Sequence, residues 1–380
     1  RMSKAAELAN LIGNINAGGG GVNRNIIQNG AMNIAQRTSS AVTGLGAATG
    51  VFVCDRWHLG VGTDASLGRL TMSQEVDAPS GFIRSTKLAC TTADTSLASG
   101  EQLRLFQRIE SMNMHPFAKG TSDAKPMAVS FYVKGNASAT YVCELFDNTN
   151  SRQCSKLFNV TTDWTRVELS FPADTTGTLN HNNSNAFSLS FFLHAGATFT
   201  SGTINSSGFA SASNGSRVGN TGDGSTSNIS SFFDSVSRTF FVTGVQLEVG
   251  QNATSFEHRS FGEEVAICQR YYAKSYGYGT TPGTSTTSGA VFNRFNATVT
   301  NRTDLGTRFP VTMRTNPDVT PYDLQGTVDK VSDCGVGVSH GSAIGVSIVQ
   351  NIGQNGFGGF TVGTGIDQLA GYHYEADAEL

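Results

Sequence analysis

Tyr276 and Tyr278 sit in Ser275-Tyr276-Gly277-Tyr278-Gly279, where the glycines hold both rings in a loop. A tyrosine there offers a flat apolar face with a polar tip. Sugars stack on such faces while Asn, Asp and backbone groups take their hydroxyls, so this pair is the candidate glycan-binding site. The competing reading packs both rings at the junction of two domains. Carboxylates are the next candidates. Glu110, Glu144 and Glu168 supply the residue type that glycoside hydrolysis needs, a pair about 5–9 Å apart across a sugar. With 29 acidic residues in the chain some pair always exists, so this type alone selects none. Asp147, Asn148 and Asn150 share one turn with oxygen ligands suited to Ca²⁺, but the loop lacks the glycine and distal glutamate of an EF-hand. Turn chemistry accounts for Asp and Asn there without a metal.

Other chemistries leave no pattern. The sequence holds no G-x-S-x-G, H-E-x-x-H or P-loop. Gly60-Val61-Gly62 lacks the third glycine of a dinucleotide turn. His58, His115, His181, His194, His258, His340 and His373 show no ligand spacing. Cys54, Cys90, Cys143, Cys154, Cys268 and Cys334 form no C-x-x-C and read as buried free thiols. Trp57 and Trp164 read as core anchors at strand edges. No catalytic residue, metal or cofactor is expected, and the chain reads as a non-enzyme.

The elements that carry these residues follow from periodicity. Met127, Val129, Phe131 and Val133 alternate with Ala128, Ser130, Tyr132 and Lys134. Val167, Leu169 and Phe171 alternate with Arg166, Glu168 and Ser170, and Phe187, Leu189, Phe191 and Leu193 share another face. A period of two with one polar face marks half-buried antiparallel strands. About ten such strands between Val22 and Phe261 predict an all-β fold, a two-sheet jelly-roll sandwich. Between Gly196 and Ser231 the alternation stops. A stretch that long without an element is functional or mobile, or lies over a neighbouring subunit as an ordered arm. Ser260 followed by Glu263 predicts a capping box and a short helix. Beyond it, Phe292–Val299, Arg308–Met313, Val319–Tyr322, Ile344–Val349 and Gly371–Ala376 predict a second, smaller β domain. The division is 1–21 for an N-terminal helix and glycine hinge, 22–265 for the sandwich, and 266–380 for a linker helix and C-terminal β domain.

The leading segment has its own signature. Ala5, Leu8, Ile12 and Ile15 recur at 3-4-3 spacing, the seam pattern of associating helices. Ser3 caps the start and Gly13 marks the end. A helix this short is marginal alone in water, so the stripe is either a candidate attachment or oligomerisation surface or a chance pattern on a frayed terminus. Gly18 to Gly21 follow as a hinge.

Composition narrows the partners. Net charge is −3 and only 14% of residues are charged, which gives no basic surplus for nucleic acid. No stretch reaches the roughly 18–20 apolar residues that cross a bilayer, so membrane insertion is not expected. No apolar signal-peptide block stands at the start.

Several passages resemble bacteriophage tail-fibre and virion structural proteins, of the type found in phages of marine bacteria. They are Asn25 to Arg37, resembling an opening strand; Asp55-Arg56-Trp57; Phe241 to Gly250, running on through Ala253–Glu264 to Cys268–Tyr272; and the ending Tyr372 to Leu380. The resemblance implies a virion component with a jelly roll similar to carbohydrate-binding modules. It implies a homo-oligomer, a trimer, and the seam helix with its glycine hinge suits an anchor to another virion protein through the N-terminus. It also implies contact with host-surface polysaccharide and assembly in the host cytoplasm. It carries no fixed ligand residues. A head fibre or capsid decoration protein is the alternative, and a glycan-degrading tailspike the third reading.

Overall fold

The computed structural model describes residues 3–16, 23–62, 68–219, 229–296, 302–303, 306–334, 342–362 and 369–380. The chain divides into two compact units. The first holds residues 1–33, 40–259 and 380, and the second holds 34–39 and 260–379. The glycine hinge lies outside the described residues.

The first unit opens with helix α1 (Lys4–Asn16). Ser3 caps it as expected: its Oγ accepts from the Ala6 N–H at 3.2 Å. The helix runs past Gly13, because an interior glycine costs only about 1 kcal/mol. Ile15 therefore falls within the helix, with its side chain outside the described residues.

The strands of the first unit are β1 (Val42–Leu45), β2 (Gly50–Phe52), β3 (His58–Val61), β4 (Arg69–Glu75), β5 (Ser85–Thr92) and β6 (Gln102–Glu110). They continue as β7 (Met127–Gly135), β8 (Ala139–Asp147), β9 (Arg152–Val160), β10 (Thr165–Phe171), β11 (Asn185–Ala195), β12 (Ala210–Ser211) and β13 (Thr239–Val249). Two antiparallel sheets result. Sheet A has the order β1-β4-β5-β13-β7-β10 and sheet B the order β12-β9-β8-β11-β6-β3-β2. The alternating residues meet between them: Val129, Phe131, Leu189, Phe191, Val242 and Leu247 are fully buried in one core together with Trp57. The fold class is all-β, as the alternation predicts.

Three expectations change. Asn25–Arg37 is not a strand. It runs as turns with Asn29 and Met32 at positive φ, and its polar side chains replace a ladder. Asn25 Oδ1 accepts from the Leu247 N–H at 3.1 Å and its Nδ2 donates to the Val245 carbonyl at 3.0 Å. The Gly196–Ser231 stretch does not leave as an arm. Its described part folds as α2 (Ala197–Thr200), β12 and α3 (Gly215–Val218), with β12 paired to β9 of the same chain. Trp164 is not a core anchor. Val167 and Leu169 pack against the core, which turns Arg166 and Trp164 outward on the other parity.

In the second unit, Ser260 and Glu263 complete the predicted capping box ahead of α4 (Phe261–Gln269). The strands are β14 (Tyr272–Lys274), β15 (Val291–Asn296), β16 (Arg302–Thr303), β17 (Thr307–Arg308), β18 (Asp318–Tyr322), β19 (Lys330–Asp333), β20 (Ser342–Gln350), β21 (Gly356–Phe357), β22 (Gly359–Val362) and β23 (Leu369–Asp377). The path β23-β15-β16-β22-β20-β19 returns to β23 and closes on itself, around Phe357, Phe360 and Tyr372. The strand expected over Arg308–Met313 stops at Arg308, where Pro310 removes a ladder donor. The expected strand from Phe292 ends at Asn296, and its last residues lie outside the described set.

Candidate functional site

The tyrosine pair divides. Tyr276 is only 4% exposed. Its ring stacks on His373 at 3.9 Å between centroids, and its hydroxyl accepts from the Gly283 N–H at 3.1 Å. It is a packed residue of the second unit, and the exposed face expected of it is absent. Tyr278 is 40% exposed. It stands edge-on to Phe261, with its hydroxyl accepting from the Ala35 N–H at 2.9 Å. The helix stripe is open where it is described: Ala5 is exposed, and Leu8 and Ile12 are 57% and 50% exposed.

The carboxylate candidates do not converge. Glu144 lies on the outer face of sheet B and Glu168 on the outer face of sheet A, so the sandwich separates them. Glu110 is buried at the end of β6. The oxygen-rich turn is filled by a lysine. Asp147 accepts from the N–H groups of Thr149 and Asn150, each at 3.0 Å, as turn chemistry requires. Its other oxygen meets the buried Lys119 ammonium at 2.5 Å. The same ammonium is 3.3 Å from Asp174 and 2.8 Å from the Thr176 carbonyl. Among the described residues no group of three or more His, Cys, Asp or Glu is placed to hold a metal. All six cysteines are free and buried, and burial pushes the Cys54 thiol up to about 12.

One hydrogen-bond chain has the geometry of a proton relay. His194 Nδ1 is 2.8 Å from Ser231 Oγ and its Nε2 is 3.0 Å from Glu101 Oε2. Burial holds the imidazole below its ordinary value, against the pull of Glu101. The peptide groups beside Ser231 are already committed, however. Phe232 N–H donates to the Leu193 carbonyl, and Phe233 N–H donates to Ser231 Oγ itself. The chain ties residue 231 to sheet B.

The outer face of sheet A carries an exposed constellation that the tyrosine reading missed. Cross-strand register builds it in rows. Lys87 and Lys134 flank Phe241, and Tyr132 lies between Thr243 and Arg166. The β4–β5 loop brings Phe82 onto this face, and the segment after β13 brings Phe256 and His258. Phe82 lies 5.3 Å from Tyr132, 5.0 Å from Phe256 and 5.1 Å from His258. Trp164 packs on Phe241 at 6.1 Å, with Lys134 over its ring at 5.4 Å. The indole N–H donates to Asp77 at 3.0 Å, and Lys134 pairs with the same carboxylate. Those two donors hold the Asp77 carboxyl below its usual range. Phe82, Tyr132, Trp164 and Phe256 are half-buried and His258 is exposed, so the rings reach solvent.

Two devices hold the rings. An extra residue in β13 opposite β7 makes a bulge at Gly244, with φ of 63°. A Cβ there would lie 2.7 Å from Phe82 and 2.9 Å from Tyr132, so glycine lets the rings close over the strand. Beyond it, Gln246 and Glu248 are buried on the same face. Glu248 accepts from Thr254 Oγ1 and N–H, both at 2.7 Å, and Gln246 Oε1 accepts from the Glu257 N–H at 2.8 Å. These bonds strap residues 254–257 to the sheet and deliver Phe256. The long passage from Gly244 onward is thus the support of the ring face.

Sheet B has an outer face of different character. Ser190 and Ser155 flank Glu144 in register. Arg217 from α3 grips Glu144 with Nε at 2.7 Å and Nη2 at 2.6 Å. Its guanidinium lies 4.8 Å from the Phe146 ring and 5.1 Å from Phe192. Arg104 lies over Phe106 and Phe192, and burial lowers its guanidinium to about 10.

These features define a two-sheet antiparallel sandwich with one ring-bearing open face, joined to a second β unit. No protein-family model matches the sequence, and no curated protein matches it. Solved structures do. A CBM4 module is similar at 12% identity over 59% of this chain and 99% of its own, with a TM-score of 0.29. A family 11 carbohydrate-binding module from Clostridium thermocellum, solved with a β-1,3-1,4-mixed-linked tetrasaccharide, is similar at 13% identity over 58% of this chain and 100% of its own, TM-score 0.27. A family 30 carbohydrate-binding module is similar at 12% identity over 60% and 97%, TM-score 0.27. At these scores the likeness carries no argument about function, and the fold stands on the strands themselves.

Proposed function

We propose that this chain is a glycan-binding protein of a virion surface, a tail-fibre or receptor-binding adhesin that binds sugar without turning it over. The ring face of sheet A carries the proposal. Half-buried aromatic rings facing solvent beside an exposed carboxylate and two cations match the needs of a saccharide, which presents apolar ring faces and hydroxyls together. Modules with a similar fold are described as carbohydrate binding, which stands beside the proposal without carrying it. The virion setting rests on the resemblance of the passages around Asn25, Gly244 and Tyr372. In this reading the stripe Ala5, Leu8 and Ile12 joins three copies or docks them on another virion protein. Several weak sites then act together by avidity.

Affinity electrophoresis in host polysaccharide tests the site. Tyr132→Ala and Trp164→Ala are each expected to weaken retention about tenfold, the effect of losing roughly 1.4 kcal/mol at an aromatic anchor. Unchanged retention with a native circular dichroism spectrum would remove the ring face as the site. A particle reconstruction tests the setting: density on the head replaces the tail position, and absence from the particle removes it.

A further inference from the structure

We propose that the outer face of sheet B is a second saccharide site, for a neutral hexose oligosaccharide, closed in this state by the chain's own Arg217. It stands apart from the ring face of sheet A. The argument starts from polar groups. Ser190 and Ser155 are 1% and 0% exposed, and their Oγ atoms have no hydrogen-bond partner among the described residues. The same holds for Gln153 Oε1, in register with Phe146 one row away, and for Arg104 Nε. Buried polar groups are ordinarily paired, since leaving one unmet costs about 1–3 kcal/mol. Four on one sheet face, next to a buried carboxylate, are more than a surface built only to be covered would keep.

The cover is bonded to sheet B at several points, among them Gln153 Nε2 to Ser216 Oγ at 3.3 Å and Asn205 Nδ2 to the Gln153 carbonyl at 2.6 Å, and Arg217 is the side chain that reaches Glu144. α3 spans only Gly215–Val218, and its Arg217 supplies the two short bonds to Glu144. Val218 and Phe199 add apolar contact with Val142 and Phe192. A guanidinium on a carboxylate between two rings occupies the place where a flat, hydroxyl-bearing ring would sit. With Arg217 withdrawn, Glu144 accepts hydroxyls, Arg104 and the two serines donate, and Phe146 and Phe192 provide apolar faces. Glu144 and Arg104 then offset each other beside the two serines, while Arg108, further along the same face, is engaged with the Leu380 carbonyl, so the ligand proposed is a neutral sugar.

The test removes the grip in the full chain. Arg217→Ala, in a Tyr132→Ala/Trp164→Ala background that silences the ring face, is applied to an array of neutral hexose oligosaccharides. Hydrogen exchange is followed across 197–218. The expected result is faster exchange in that segment and at least tenfold stronger binding to one or more oligosaccharides, lost again with Ser190→Ala/Ser155→Ala. Should Arg217→Ala not fold, Arg217→Ala/Glu144→Gln removes both charges, keeps an amide for the hydroxyls, and carries the same expectation. Faster exchange without any gain in binding overturns the proposal and leaves a face filled by water. Unchanged exchange and unchanged binding overturn it too, because Arg217 is then no latch. Since the ring-face residues are already absent, failure here says nothing against the site on sheet A.

Discussion

Sheet A and sheet B send alternate side chains into one shared core, and their remaining side chains meet different fates. On sheet A, Tyr132, Trp164 and Lys134 reach solvent, and the strap after β13 covers Gln246 and Glu248 beside them. On sheet B, Ser190, Glu144 and Phe192 are buried under α2 and α3. Each face has an ion pair, and the pairs show the contrast in miniature. Asp77 and Lys134 have side chains 45% and 20% exposed, whereas Glu144 and Arg217 are at 0% and 12%. Period two in a sequence tells which side chains leave the core. Whether those side chains then meet water depends on distant segments that the strand pattern does not contain.

The largest effect is expected where charge is most deeply enclosed, at the sandwich rim. Lys119→Met leaves Asp147 and Asp174 buried, with only Arg152 beside Asp174, at 2.9 and 2.8 Å. Breaking such a pair costs about 3–5 kcal/mol in urea unfolding. Glu144→Ala on the covered face is expected to cost about 3 kcal/mol, somewhat less because Arg217 reaches the surface. Asp77→Ala on the open face is expected to cost under about 1 kcal/mol, in line with exposed pairs. Equal losses for Glu144→Ala and Asp77→Ala would abolish the distinction between the faces.

Acid tests the covered side next. Burial holds His194 neutral in the folded chain, so the unfolded chain takes the proton more readily. Its contribution is complete above the ordinary value of 6.5 and drains as pH falls toward the lower folded value. One such group changes stability by at most about 1.4 kcal/mol per pH unit. His373 in the second unit is lowered in the same direction by burial. Urea midpoints measured from pH 7.5 to 5 should fall, and His194→Gln should flatten the part of the slope belonging to the first unit. A midpoint that rises on acidification would mean that Glu101 holds His194 as a cation.

Much of this contrast was present in the alternation itself. Tyr132 and Lys134 fall on the polar parity of β7, and Trp164 on that of β10, so the ring face of sheet A was legible. Reading Trp164 as a core anchor went against its own strand's parity. Tyr276 was misplaced for another reason. Flanking glycines announce a loop, but they do not say that His373 closes over the ring. The partnership of Glu144 with Arg217 was not legible, because 73 residues separate the two and nothing periodic marks α3. Gly244 was visible only as part of a passage, and its role emerges once two rings are seen to close over it.

The smallest effect on stability is expected at α1, which is apolar like the ring face but has nothing of its own to hold. Leu8 and Ile12 keep about half their surface in water, at 57% and 50% exposure. Surface that is never buried contributes nothing to folding at the usual 25 cal/mol per Å². Deleting residues 2–21 should therefore move the unfolding free energy of the sandwich by less than about 0.5 kcal/mol, the range of ordinary surface changes. The same deletion should reduce the sedimentation coefficient to that of a single chain if the stripe joins copies. Leu8→Asp/Ile12→Asp should do likewise without shortening the chain. If both variants lose stability together with association, the helix is bound into the sandwich and the stripe is part of its packing. If both leave stability and association unchanged, the trimer seam is withdrawn, and the ring face has to bind its glycan without help from neighbouring copies.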